Sequence, residues 1–191
     1  MKRGNIILLV VVGILLIIVL SVYSFFKGTY NSLVSLDEAS NSAWAEVENN
    51  LQRRYDLIPN LVNTVKGFAN QEKEVLLGVT EARAKVGGAT TRDERINAEN
   101  ELGGALSRLL MVVENYPQLK SDANFRALQD ELAGTENRLA VARKRYNDAV
   151  RTYNVMLRQF PQNMVAGMFG FEKKAFYEIP EEARANPEVQ F

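Results

Sequence analysis

The sequence predicts an all-α protein: an antiparallel up-and-down bundle of three to four long helices behind a single N-terminal transmembrane helix. Three observations predict it. A long uncharged apolar run follows the first few residues, two seven-residue apolar repeats fill most of what remains, and no strand-like alternation competes before Phe160.

The first element is the apolar run. From Ile6 to Phe26 no residue is charged, and as a helix these residues would span roughly 31 Å, the thickness of a bilayer hydrocarbon core. A helix apolar on every face has no use in a soluble domain. A cleaved signal peptide is opposed by the length of the run and by the bulky residues from Tyr23 to Lys27, where a small-x-small cleavage site would be needed. Lys2 and Arg3 precede the run, whereas only Lys27 follows it before Arg53, with Asp37, Glu38, Glu46 and Glu48 between. That bias places residues 1–5 in the cytoplasm, 6–26 across the inner membrane and the rest outside.

The second element begins at Trp44. Trp44, Leu51, Ile58, Val65, Glu72, Val79 and Val86 repeat every seven residues, interleaved with Val47, Arg54, Leu61, Phe68, Val75 and Ala82. Two such sets form one stripe on a helix. Pro59 interrupts the chemistry but not the phase. It removes a backbone donor and disfavours helical geometry at Ile58, so the spacing predicts a helix bent or broken over one turn with the same face inward. Asp56 is placed to cap the restart.

The third element starts at a capping-box pattern, Thr91-Arg92-Asp93-Glu94, after the Gly87-Gly88 turn. Ile96, Leu102, Leu106, Leu109, Leu110 and Val113 make its stripe. Gly103-Gly104 either weakens it or permits close approach, and Pro117 ends it. The fourth runs from Phe125 through Leu132, Leu139, Tyr146, Tyr153 and Phe160, interleaved with Leu128, Thr135, Ala142, Ala149 and Met156. Together these elements make a bundle domain over 28–160. A coiled-coil oligomer is the competing architecture, because a stripe does not name its partner. Residues 161–191 change character, rich in Phe, Met, Pro and Gly, with no sustained stripe. Phe169, Phe171, Phe176, Tyr177 and Phe191 are expected to pack on the bundle or at a protomer interface, with a partner groove or contact with the bilayer surface as the remaining options.

Composition narrows function mostly by exclusion. Cysteine and histidine are absent, which removes thiol chemistry, disulfides, histidine triads and imidazole or thiolate zinc sites. No nucleophile turn, phosphate loop or clustered acidic loop appears, so neither an enzyme nor a cofactor is expected. Basic and acidic residues balance at 23 each, which argues against a nucleic-acid partner despite Arg53-Arg54 and Arg143-Lys144-Arg145.

Polar residues on or beside the stripes are the candidate site: Arg54, Asp56, Asn60, Glu72, Glu136, Asn137, Arg143 and Asn147. A buried charge needs a partner. The favoured reading is a structural polar seam fixing helix register, and the rival is a slot in which arginine holds a carboxylate or phosphate. Tyr-Asn recurs at Tyr30-Asn31, Tyr146-Asn147 and Tyr153-Asn154.

Several segments carry a family resemblance: TYNSLVSLDE (29–38), AWAEVENNLQRRYDLIPNLVNTVKGFANQEKE (43–74), ENYPQLK (114–120), ELAGTENRLAVARKRYN (131–147) and FPQNMVAGMFGF (160–171). With the N-terminal anchor and terminal phenylalanine, the chain resembles the LemA family of bacterial membrane proteins over most of its length. The resemblance implies a helical bundle on a membrane tether, and an association with membrane-bound zinc metallopeptidases of the heat-shock type. At Gln71-Glu72 this chain lacks the histidine that many members carry before the glutamate. The function expected is a membrane-tethered, non-enzymatic scaffold or adaptor of the bacterial envelope, linked to membrane proteostasis. Its partners would be the bilayer through residues 6–26, copies of itself, and a zinc metallopeptidase or another envelope protein. A homo-oligomeric ring, cage or lattice is the alternative, and a small-ligand sensor a further one.

Overall fold

The computed structural model describes residues 3–69 and 71–178. Among them lie six helices and no strand: α1 (Arg3–Phe68), α2 (Lys73–Gly88), α3 (Arg92–Val113), α4 (Pro117–Ser121), α5 (Ala123–Arg158) and α6 (Gln162–Phe169). The all-α bundle with an apolar N-terminal helix is therefore the architecture that forms. The described residues divide into two compact units, those within 3–42 and 147–176, and those within 43–146 and 177–178; α1 and α5 contribute to both.

The larger unit holds the main core. Ile58, Leu61 and Val65 of α1, Val79 and Val86 of α2, Leu102 and Leu109 of α3, Leu119 of α4 and Phe125 of α5 are all buried together. Ion pairs fix the direction of α5 against α1. Glu46 meets Arg145 late in α5, whereas Arg53 and Arg54, further along α1, meet Glu131 and Glu136, earlier in α5. The packing is antiparallel.

Pro59 does not interrupt α1. A proline at this position deprives the carbonyl four residues back, that of Tyr55, of its helical donor. Here Arg83 of α2 supplies the missing bond: its Nε donates to the Tyr55 carbonyl oxygen at 3.1 Å, and its guanidinium lies 3.8 Å from the centre of the Tyr55 ring. The helix persists because a neighbouring helix satisfies the orphaned acceptor. Asp56 accordingly caps nothing. It sits within α1, exposed, and accepts from Gln52 Nε2 at 2.9 Å.

The stripe read as one ribbon from Trp44 to Val86 is two helices. The chain turns between Phe68 and Lys73, Phe68 lies 42% exposed and Ala69 takes the buried position. Spacing alone missed this turn because α2 resumes with the same residues facing inward. At the next connection the capping box is present: Glu94 N–H donates to Thr91 Oγ1 at 3.2 Å, and Thr91 N–H donates back to Glu94 Oε2 at 3.2 Å. Of the third-element stripe, Leu110 is the member left exposed. Pro117 does more than stop α3; it opens α4 at its first turn.

In the smaller unit, Leu33 of α1 packs with Val165 and Ala166 of α6, flanked by Phe26, Met156, Leu157 and Phe171. Helix α6 was not legible as a stripe. It is only eight residues long, with Pro161 before it and Gly170 closing it in the left-handed conformation at φ 72°. Phe160, read as the last core position of α5, falls after its end and is 80% exposed. The apolar residues from Leu8 to Leu20 stand open along α1, the described helix long and apolar enough to cross a membrane.

Candidate functional site

In the larger unit the polar residues converge on Glu136. Its Oε2 accepts from Arg54 Nη1 at 2.9 Å and its Oε1 from Arg143 Nη1 at 3.3 Å, so one carboxylate joins α1 to α5. Helical periodicity explains the convergence: Glu136 and Arg143 are seven residues apart on one face of α5, and Arg54 occupies a core position of α1. The Arg54 side chain is 10% exposed, that of Arg143 15%, and that of Glu136 48%. Two nearly buried cations thus share an anion that keeps one side in water. Adjacent pairs extend the seam: Arg53 with Glu131 at 2.6 Å, and Arg138 with both Glu131 and Thr135. Thr135, fully buried, returns its hydroxyl proton to the Glu131 carbonyl at 2.8 Å.

A residue not singled out from the sequence completes this corner. Glu99 of α3 is 1% exposed, and neither of its carboxylate oxygens has a hydrogen-bond partner among the described residues. Burial pushes its carboxyl above the ordinary range, and the nearby Arg54, Arg95 and Arg143 oppose that shift only in part. Its position one residue after Ala98 and three before Leu102, all buried on α3, was the available signal. Gly103 borders the corner, where a Cβ would stand 3.4 Å from Arg54 Nη2. Arg54, Glu99, Glu136 and Arg143 themselves line a cleft of about 760 Å³ whose apolar wall includes Leu61, Leu106, Leu110 and Leu132. Chemically the corner offers guanidinium donors, one shared carboxylate and one carboxyl biased toward its neutral form. No group of three or more metal-ligating His, Cys, Asp or Glu side chains occurs among the described residues.

The other residues of the expected seam lie elsewhere. Glu72 stands at the start of α2, where its Oε1 accepts from Tyr116 Oη at 2.9 Å and raises the Tyr116 hydroxyl above its usual range. Asn60 and Asn137 are exposed on their helices, and Asn147 belongs to the smaller unit.

The aromatic residues of the C-terminal segment separate into different environments. Tyr177 is buried in the larger unit, its ring 6.4 Å from Trp44 and 4.7 Å beneath the Arg143 guanidinium. Trp44 in turn meets Tyr146 edge-on at 5.2 Å. Phe171 and Phe176 are half-buried and Phe169 is exposed, although its ring lies 4.8 Å from Tyr30. Phe191 lies outside the described residues.

The smaller unit contains a second polar device, also missed from the sequence. Lys174 Nζ donates to Asn41 Oδ1 at 2.8 Å, to the Asp37 carbonyl and to Ser40 Oγ, and forms an ion pair with Asp37 Oδ1 at 2.8 Å. Asn154 grips the same residue's backbone, accepting from its N–H at 3.0 Å and donating to its carbonyl at 2.8 Å. The Tyr153-Asn154 pair noted as a recurrence therefore holds the returning segment. Asp37, Ser40 and Asn41 share one face of α1 at helical spacing, which was the signal for this clasp.

The chain matches the model of the LemA family over residues 43–191. It is 26% identical over 195 residues to magnetosome protein MamQ 2 of Paramagnetospirillum magneticum, covering 87% of this chain and 72% of that protein. To MamQ of Magnetospirillum gryphiswaldense it is 24% identical over 207 residues, covering 94% of this chain and 75% of the relative. To protein LemA of Metamycoplasma hominis it is 20% identical over 165 residues, covering 86% and 75%. With the family match spanning most of its length and a helical architecture of the expected kind, the chain belongs to the LemA family.

Proposed function

We propose that this LemA-family protein is a membrane-tethered, non-enzymatic helical scaffold or adaptor of the bacterial envelope. The observation that carries this reading is the apolar stretch of α1, whose side chains from Leu8 to Leu20 are open on all faces while the same helix goes on to supply core residues Ile58, Leu61 and Val65. Burying that stretch in lipid removes the largest exposed apolar surface of the described chain from water. Tethering raises effective concentration, so a modest protein interface suffices for partner binding. The bias of basic residues favours the N-terminus in the cytoplasm and the bundle outside, where a membrane zinc metallopeptidase or another envelope protein would be the partner. The Arg54–Glu136–Arg143 corner serves register within the bundle in this reading.

The test is membrane extraction combined with crosslinking in cells. The protein should resist alkaline carbonate, and its bundle should be cleaved by protease added outside the inner membrane. Photo-crosslinkers on the bundle should capture a discrete membrane-protein partner. Release by carbonate, or a bundle protected from protease, contradicts the reading in its first or second part.

A second reading is self-assembly. Leu77, 57% exposed in the larger unit, is an apolar side chain that a second copy could cover. Crosslinks only between copies, with multi-subunit mass in detergent, would favour assembly over an adaptor role.

A further inference from the structure

Helix α6 has two unlike faces. Val165 and Ala166 are buried against Leu33 of α1, whereas Met164 and Met168 are 60% and 67% exposed. Met164 and Met168, spaced by four, stand on one outer face, while Phe169 falls between the directions of Val165 and Ala166 and meets Tyr30 of α1. Phe160, just before Pro161 and the helix, is 80% exposed. Large apolar side chains left open so close in the chain need a reason.

Their position along α1 supplies one. The core beneath α6 includes Phe26, the last residue of the uncharged apolar run, and the ring of Phe169 lies 4.8 Å from that of Tyr30. Tyr30 follows Phe26 by four residues, about 6 Å along a helix axis. The polar headgroup layer adds roughly 5–8 Å to each side of the hydrocarbon core. If the run ending at Phe26 fills the core, α6 is held at headgroup depth. Phe25 and Phe26 meet edge-on at 6.0 Å, and Tyr30, one turn on, meets Phe171 at 5.8 Å, which puts aromatic rings at the depth where they settle. Exposed Lys27, Arg158 and Lys173 flank these segments in the chain, with Glu172 as the exposed acid.

The geometry points to α6 as an interfacial lipid-binding helix, its Met164–Met168 face seated in the bilayer surface beside the spanning helix. This rests on the tethered reading above. The apolar side chains enter the boundary between headgroups and acyl chains, while Val165 and Ala166 keep the helix fastened to α1. The second contact with lipid restrains how the tether tilts and turns.

The absence of cysteine makes the test direct. Full-length Met164→Cys, Met168→Cys, Leu15→Cys and Met111→Cys variants would each carry an environment-sensitive fluorophore. They would be reconstituted in vesicles of phosphatidylcholine and phosphatidylglycerol, with iodide as aqueous quencher and nitroxide-bearing lipids as membrane quenchers. Labels at 164 and 168 should be quenched by shallow nitroxides and should lose roughly threefold or more of the iodide quenching seen at 111, since an interfacial helix buries its apolar face about 5–10 Å deep. The label at 15 should respond to deep nitroxides. Iodide access at 168 equal to that at 111, with 15 in lipid, overturns the interfacial helix and leaves the tether standing. Shielding at 168 from both iodide and nitroxide overturns it in favour of protein covering that face. A label at 15 that no lipid quencher reaches removes the tether and this inference together.

Discussion

The two polar clusters treat buried charge in opposite ways. Lys174 in the smaller unit has four oxygen acceptors around its ammonium, and its backbone is held by Asn154. Glu99 in the larger unit is as deeply buried as any core leucine, yet among the described residues it has arginines nearby and no hydrogen bond. A satisfied ion fastens what it touches, whereas an unsatisfied one stays in place only by becoming neutral or by sitting in a positive field. The first cluster therefore reads as a clasp. The second is a register device with one strained member.

Removing Arg54 should break this contrast most severely. Arg54→Met leaves Glu136 with one guanidinium and Glu99 with a weaker positive field, and should cost about 3 kcal/mol in urea unfolding of the detergent-solubilised protein. A change below about 0.5 kcal/mol would mean the seam does not hold the bundle. Lys174→Met should come next, at about 2 kcal/mol, because Asp37 is part exposed and can rehydrate, whereas loss of Arg54 also strips positive charge from the fully buried Glu99. Its sharper signature is local: amide exchange should quicken over 171–178 while α2 and α3 keep their protection.

Arg83→Met tests the proline. It should cost about 1.5 kcal/mol in the native sequence and clearly less in a Pro59→Ala background, where Tyr55 regains its helical donor. Equal losses in both backgrounds would refute the compensation. For Glu99→Met the expected sign is reversed: stability at pH 8 unchanged or raised by about 1 kcal/mol, as an apolar residue replaces an unbonded carboxyl. Because the fold raises the Glu99 carboxyl, its protonated form contributes stability that is complete below the ordinary carboxyl range and is lost as pH rises through the raised value. The difference between wild type and Glu99→Met should therefore grow in that direction, and a flat difference would show Glu99 unperturbed. Thr91→Ala is the smallest change, costing roughly 0.5–1 kcal/mol through loss of the capping box.

The fold was legible where periodicity was long. Ile58, Leu61 and Val65 were expected inward on the strength of a repeat that keeps phase across Pro59, and all three are fully buried. Less of the polar site could be read. Arg54, Glu136 and Arg143 were named among eight residues, but Asp56, Asn60, Glu72, Asn137 and Asn147 do not join them. Spacing reports which side of a helix a residue takes and not which residue of another helix stands opposite. Glu99 went unnoticed because a glutamate within a stripe looks like a solvated charge until the facing helix covers it.

The sequence by itself determined the helical class, the uncharged apolar run from Ile6 to Phe26 and the inward faces of α1, α3 and α5, since each depends on local composition and a fixed residue period. Only the tertiary structure decided that Arg83 rescues the Tyr55 carbonyl, that Glu136 bridges two arginines, and that Lys174 locks beside Asp37 and Asn154. Apart from the local Glu136–Arg143 contact, those pairings join residues 20 to 137 positions apart. Contacts at such separations are set by how packed helices slide and turn against one another, and no local period records that.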